Sequence, residues 1–294
     1  MEYVIFDLEW NGGYSHKRDK IFNEVIEIGA VKLSESLEII DKFSMLIKPQ
    51  VNKRITRNIQ NLTHIRNEDL KTANTFGHVY KMFGKFVKDC VLMSWGEVDI
   101  ITLTDNCDYF TLDRDKINTD KYVDLQKYCQ VCLGIGGKDQ QLGLTSAALE
   151  LSLNLKNVQL HRALSDSLLA AWCFQKIYDE KKFNNSIIPL DEEFYKRITF
   201  KSVFITSINN PLVKKSYLQV KCKHCGRFLK RTSDWQIKNK GFKADFNCKL
   251  CKVDFDVRIK IKSKYEGVIV NKTLNDIIDE EETINQESEN SKEK

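Results

Sequence analysis

A chain of 294 residues, 42% hydrophobic and 30% charged, is long enough for one sizeable core and a small second unit. No stretch approaches the ~20 apolar residues that cross a bilayer as a helix, so a membrane partner is not expected. The N-terminus runs straight into EYVIFDL without the parts of an export signal, and the formal net charge is +5, so the cytoplasm is the expected compartment.

Strand-like runs fall near 3–9, 25–33 (VIEIGAVKL) and 38–48 (EIIDKFSMLIK). TFGHVYKMFGKFVKD (75–89) has helical spacing, with Phe76, Val79, Tyr80 and Phe83 along one side. A short strand, CVLMSW (90–95), precedes a helix from Val98, a strand near 122–125, and helices near 140–153 and 163–180. Three strands in sequence followed by alternating helices and strands predict an α/β fold, a mixed sheet with flanking helices, over residues 1–180. Residues 181–195 read as a linker, 196–270 as a small β-rich domain, and 271–294 as an acidic disordered tail.

The first strand carries the first sign of chemistry. Side chains alternate faces along a strand, so Asp7 and Glu9 project from one face while Val4, Phe6 and Leu8 pack on the other. Two neighbouring anions repel, and partial burial raises the cost of each charge. Asp99 follows a strand and starts a helix, where taken alone it reads as an ordinary first-turn acid. Asp166 heads the apolar stripe Leu169, Ala170, Cys173, Phe174 and Ile177, so it points toward the core, where an isolated charge is rare unless paired or bound to metal. His161 lies five residues earlier, in the loop entering that helix; a lone histidine there is by itself unremarkable. Together these acids form an oxygen-rich set suited to Mg²⁺ or Mn²⁺. Two such ions are a recurring device of phosphodiester chemistry, and a histidine, with an ordinary pKa of about 6.5, can deprotonate an attacking water.

Asp7-x-Glu9, then Asp99, then His161-x-x-x-x-Asp166 resembles the motif set of the DnaQ-like (DEDDh) 3′→5′ exonucleases, which have a ribonuclease H-like fold. The likeness covers roughly residues 1–180 and extends to EVIEIGAVKL and IQNLTHI, although His64 stands where that family often has glycine. It implies that Asp7 bridges two metal ions, that Glu9 and Asp166 complete one site, that Asp99 serves the other, and that His161 is the general base. It also suggests that Leu8 and Trp10 line the cleft for the terminal nucleotide, with a core role for Leu8 as the alternative. The family trims single-stranded DNA or RNA from its 3′ end and releases nucleoside 5′-monophosphates. SWGEVD is most similar to the RNA-trimming branch that includes histone-mRNA exonucleases, which favours RNA over DNA. A non-catalytic nucleic-acid-binding adaptor that keeps the fold is the competing function.

Beyond the resemblance, CKHC (222–225) and CKLC (248–251) give two C-x2-C turns, and Cys222, Cys225, Cys248 and Cys251 can close a tetrahedral structural Zn²⁺ site. Paired disulfides or free thiols are the alternatives. A third pair, CQVC (129–132), sits in a helical pattern without a partner and reads as core cysteines; a redox protein built on all three pairs would leave the acids unexplained. Residues 196–264 hold 19 Lys and Arg against 4 Asp and Glu, interleaved with Tyr217, Phe228, Trp235, Phe242, Phe246 and Phe255. Basic groups with aromatics suit single-stranded nucleic acid, the alternative being a solvated lysine-rich surface.

Overall fold

The computed structural model describes residues 1–135, 141–156 and 159–277, which divide into two compact units, Met1–Thr199 and Phe200 onward. The first unit begins with three antiparallel strands, β1 (Tyr3–Ser15), β2 (Lys20–Leu33) and β3 (Ile39–Leu46). Then come α1 (Arg57–Thr63), α2 (Phe76–Phe86), β4 (Val91–Ser94), α3 (Val98–Tyr109), β5 (Lys121–Asp124) and α4 (Leu125–Leu133). The unit ends with α5 (Leu144–Glu150), α6 (Ala163–Ile177), α7 (Glu180–Asn184), β6 (Ile188–Pro189) and α8 (Glu192–Thr199).

The sheet runs β3-β2-β1-β4-β5-β6, with β4 and β5 parallel to β1 and to each other, and β6 antiparallel at the edge. This is the mixed, helix-covered sheet expected from the pattern of elements. Period-two alternation divides β1 between two cores. Val4, Phe6 and Leu8 pack with Phe76, Val79 and Phe83 of α2 and Ile100 and Leu103 of α3. Tyr3 and Ile5 pack on the other face with Tyr128 of α4 and Ala170 and Phe174 of α6. Asp7 and Glu9 continue this second face, toward α6.

Register explains how α6 reaches them. Asp7 pairs with Gly29 and Glu9 with Glu27 across the β1–β2 ladder. A Cβ on Gly29 would lie 2.1 Å from the Leu164 amide nitrogen, so glycine is what allows the start of α6 to rest on β2. The Ser167 hydroxyl fastens this crossing by donating to the Gly29 carbonyl at 3.0 Å. The ladder shifts register between Glu9 and Trp10, and the Val25 N–H is taken by the Asn106 side chain of α3 at 3.1 Å. A shift of that kind re-aims the strand beside the acids.

Residues 181–195 are not a linker. Phe183 of α7 is buried in the core beside α6, Ile188 pairs with Tyr122 of β5, and Phe194 of α8 is buried against Tyr122. Sparse apolar positions among Lys, Asn and Asp hid short elements whose partners lie elsewhere in the chain.

The second unit contains β7 (Val203–Ile205), α9 (Lys215–Leu218), β8 (Lys230–Arg231), β9 (Gln236–Lys238), β10 (Gly241–Cys248), β11 (Val253–Lys264) and β12 (Gly267–Asp276). Its sheet runs β12-β11-β10-β8, with β7 also on β11 and β9 also on β10. Phe242, Ala244 and Phe246 of β10 face Phe255, Val257, Ile259 and Ile261 in one core, and alternation turns Lys260 and Arg258 outward. The strand β12 carries the unit to Asp276, beyond the expected boundary at 270. The remainder of the expected disordered tail, 278–294, lies outside the described residues.

Candidate active site

One carboxylate oxygen each from Asp7, Glu9 and Asp166 lies within 4.8 Å of the others, although 159 positions separate the first from the last. Strand β1 supplies the first two and the first turn of α6 the third. Glu27 locks that turn in place: its buried carboxylate accepts from Arg162 Nε at 3.1 Å and Nη2 at 2.8 Å, and from the Ala163 N–H at 3.3 Å. Asp99 occupies the first turn of α3, as the ordinary reading has it, but it is buried, and its Oδ1 accepts the Leu8 N–H at 3.3 Å. It is thereby tied to the residue between Asp7 and Glu9, one step outside the three-carboxylate cluster.

His161 stands exposed in the loop before α6, and its N–H donates to Asp166 Oδ2 at 3.0 Å. Its φ of 61° is left-handed, which for a residue other than glycine costs on the order of 1–3 kcal/mol and is held by surrounding structure. Here the Asp166 carboxylate and the Arg162–Glu27 pair supply that hold.

A concavity of about 310 Å³ opens onto Asp7, His161 and Asp166 and is walled by Trp95, Leu144, Thr145 and Leu160. Trp95 is set by its indole N–H, which donates to the Leu142 carbonyl at 3.0 Å. The sequence pointed to none of these four wall residues; the nearest signal was SWGEVD, where Trp95 and Gly96 (φ 86°) connect β4 to the helix that carries Asp99. Of the two roles expected for Leu8, its side chain takes the core one and not the cleft-lining one, and what it offers the site is its backbone N–H. Trp10 is half-buried against the same core.

The electrostatics follow from burial. Desolvation, then the Asp99, Asp166 and Glu9 charges, push the Asp7 carboxyl well above the usual carboxylate range. Glu9 is pushed up to about 8 by burial, then by Asp166 and Glu27, with Arg162 partly opposing. Burial likewise lifts Asp99 to about 7, and lifts Asp166 against the pull of the His161 N–H. Converging hard oxygen donors whose negative charge is poorly compensated fit a divalent cation such as Mg²⁺ or Mn²⁺.

A pH dependence follows. Ordinary carboxyls titrate near pH 4, so between about pH 4 and the raised values near 7 and 8 the folded, metal-free chain holds protons that the unfolded chain has lost. Stability is then present in full below the ordinary pKa and is lost as pH rises through the raised ones. Thermal unfolding of the metal-free protein should move to lower temperature from about pH 5 to about pH 8, less steeply in Asp7→Asn. Saturating Mn²⁺ should restore more at the higher pH. Parallel pH profiles for the two proteins would mean that Asp7 carries no such proton.

The four cysteines of the second unit form a separate cluster. Their sulfurs lie within 4.8 Å of one another, with Cys222 Sγ 3.9 Å from Cys251 Sγ and Cys225 Sγ 3.5 Å from Cys248 Sγ. Four thiolates at Zn–S distances of about 2.3 Å around a tetrahedral centre stand about 3.8 Å apart, so the cluster fits zinc. The His224 and Cys251 N–H groups donate to Cys222 and Cys248 sulfurs at 3.4 Å, and such donation helps hold the Cys248 thiol down at about 6. CQVC lies in α4, where Cys129 is buried against Cys173 and its thiol is pushed up by burial to about 11.

With this geometry in hand, the chain can be compared with known proteins. Residues 4–174 match the family described as Exonuclease (RNase_T). The PolC-type DNA polymerase III of Staphylococcus saprophyticus is 28% identical over 205 residues, which is 66% of this chain and 13% of that protein, so the chain spans only a small part of the polymerase it resembles. Among solved structures, the nuclease domain of 3′hExo, a DEDDh family member bound to rAMP, superposes with a TM-score of 0.52 at 20% identity, covering 64% of this chain and 96% of that one. A structure of a 3′-exonuclease in 3′-end specific recognition of a histone mRNA stem-loop gives 0.50 at 18% identity, covering 64% and 91%. These likenesses show a shared fold, and divalent metal at the acidic cluster is what the family implies. Because the match takes in more than half of the chain and runs through Asp7, Glu9, Asp99, His161 and Asp166, the chain belongs to the exonuclease family.

Proposed function

We propose that the protein is a 3′→5′ exonuclease that hydrolyses single-stranded nucleic acid from its 3′-OH end, RNA in preference to DNA, and releases nucleoside 5′-monophosphates. The observation that carries this reading is the convergence of Asp7, Glu9 and Asp166 at a concavity whose mouth holds His161. Asp7 would hold two divalent ions in common, Glu9 and Asp166 would complete one site, and Asp99 would serve the other, partly through water. Ions bound there would stabilise charge on the attacking and leaving oxygens of the phosphodiester.

The rest falls to the chain's own groups. His161, exposed at the mouth, takes the proton of the water that attacks phosphorus; the bond to the 3′ oxygen of the preceding nucleotide breaks, and that oxygen leaves with the bonding pair and takes a proton from solvent to become the new 3′-OH, while His161 returns its proton to solvent. Asp166 and the Arg162–Glu27 pair hold His161 in its left-handed position while it does so. Trp95 and Leu160 give the terminal base an apolar wall, and Thr145 offers a hydroxyl to the sugar or phosphate. Trp10 would flank the same terminal nucleotide.

The preference for RNA is supported by SWGEVD and by the histone-mRNA exonuclease among proteins of this fold. Identity to a DNA polymerase favours the second reading, DNA. The adaptor reading is disfavoured because every acid of the set is present. To Cys222, Cys225, Cys248 and Cys251 we assign one structural zinc ion.

Matched single strands of RNA and DNA, labelled at either end, test the proposal with Mg²⁺ or Mn²⁺. A 3′ label should appear at once as a mononucleotide while a 5′ label shortens stepwise, a 3′-phosphate should slow both, and RNA should be consumed faster. Cutting of a circular single strand would show an endonuclease instead.

A further inference from the structure

The second unit has a concavity of its own, of about 310 Å³, within the size range of small-ligand sites, roughly 300–1,000 Å³. Buried Val220 and Phe246 line its floor, and Leu218 and Trp235 its sides. At the rim stand Arg231 and Phe228, whose ring is 64% exposed and takes no part in the unit's core. Trp235 packs edge-on against Phe246 and Phe242, with ring centroids 5.6 and 6.2 Å apart, and lines the concavity.

Each aromatic group carries a cation. Lys221 Nζ lies 5.4 Å from the centre of the Phe228 ring, and the two residues are joined by a backbone bridge. Arg231 Cζ lies 5.6 Å from the Trp235 ring; its ion-pair partner among the described residues, Asp234 at 3.9 Å, is fully exposed and screened by water. The field around them is positive, since residues 200–277 hold 18 Lys and Arg against 6 Asp and Glu. An apolar peptide side chain would fill the concavity but would leave these cations unmatched. A nucleotide matches both, its base stacking on a ring and its phosphate meeting Arg231 or Lys221.

We propose that Phe228, Trp235 and Arg231 form a nucleobase pocket that grips one base of a single strand, giving the second unit its own hold on nucleic acid. The inference rests on the nucleic-acid reading of the protein and extends it to a site with no part in hydrolysis.

The test uses the full chain carrying Asp7→Ala, so that bound strands persist, and single strands of about twenty nucleotides. Adding Phe228→Ala should weaken binding about 5- to 100-fold, the stacking worth of one base, and Phe228→Tyr should restore it. On a strand of abasic residues, Phe228→Ala should change nothing. Arg231→Gln should weaken binding and lower the slope of log affinity against log salt by about one. Equal affinity of Phe228→Ala and its parent, or an equal loss on the abasic strand, would overturn the pocket. So would a change of emission, absent in Trp235→Phe, evoked by an apolar peptide but not by the strand; that would assign the concavity to a protein partner. Nucleotide release by the wild-type chain is scored separately: its absence removes the exonuclease proposal and leaves the pocket to stand or fall on binding.

Discussion

Asp7→Ala is expected to abolish nucleotide release while the folded structure survives, and Asp166→Ala to do the same. Both residues sit in the cluster where three carboxylates converge, and burial, with the neighbouring acids, raises both carboxyls, so the site tolerates its own charge poorly without a cation. Alanine at position 7 removes a buried carboxyl whose ionisation is opposed by desolvation and by the Asp99, Asp166 and Glu9 charges, so the metal-free variant should unfold at a temperature no lower than wild type. Activity and stability should therefore move in different directions, which separates loss of chemistry from loss of fold. His161→Ala should cost about 10²–10⁴-fold in turnover, the usual worth of a general base. Asp166→Ala should exceed that loss, because it also removes the acceptor of the His161 N–H. The measurements are mononucleotide release at saturating Mg²⁺ or Mn²⁺ and the thermal midpoint of each variant without metal. Undiminished release by Asp7→Ala would sink the assignment.

The part of this site that could be read from the sequence is the part that local periodicity encodes. Alternation along β1 put Asp7 and Glu9 on one face, and the apolar stripe of α6 aimed Asp166 inward; both inferences need only the residues of a single element. What tied the elements together was not legible. Glu27 meets Arg162 across 135 positions, and Gly29 matters only because α6 crosses it. A glutamate and a glycine in a strand announce neither role. Nothing local marks Trp95 and Leu160 as wall residues; chain crossings bring them to the cleft. The hairpin beyond Glu9 was missed for a related reason: Asn11, Gly12 and Gly13 look like a turn, yet they pair with Glu24, Asn23 and Phe22 and extend β1 to Ser15. Where a residue's structure depends on a partner far away in the chain, pattern alone favours the local signal, as it did for Phe183, Ile188 and Phe194.

The cysteine cluster yields the other large expected effect. Cys248→Ser should unfold the second unit of the full chain and leave the first folded. The sulfurs of Cys222, Cys225 and Cys251 alone would then hold zinc too weakly to retain it, and apparent zinc affinities of about 10–16 kcal/mol rival the roughly 5–15 kcal/mol that holds an average domain together. The unit's own core rests on eleven buried residues, centred on Phe242, Phe246, Phe255 and Ile259, and Cys222 and Cys248 are two of the eleven. The cluster also fastens both ends of the turn between β10 and β11. Cys248 closes β10, Cys251 sits in the turn to β11, and Cys222 and Cys225 anchor the segment before β8. Releasing it frees the register of β10 against both β8 and β11. The chain as purified should carry one zinc per molecule, which Cys248→Ser loses. Amide exchange is the deciding measurement, because it reports on each strand: protection across β10 and β11 should collapse in the variant, while β1, β2 and β4 keep theirs. Far-ultraviolet signal from the whole chain would blur these two outcomes together. Protection of β10 that persists in a zinc-free variant would mean that the aromatic core alone holds the unit, and that the four thiols serve some purpose other than folding.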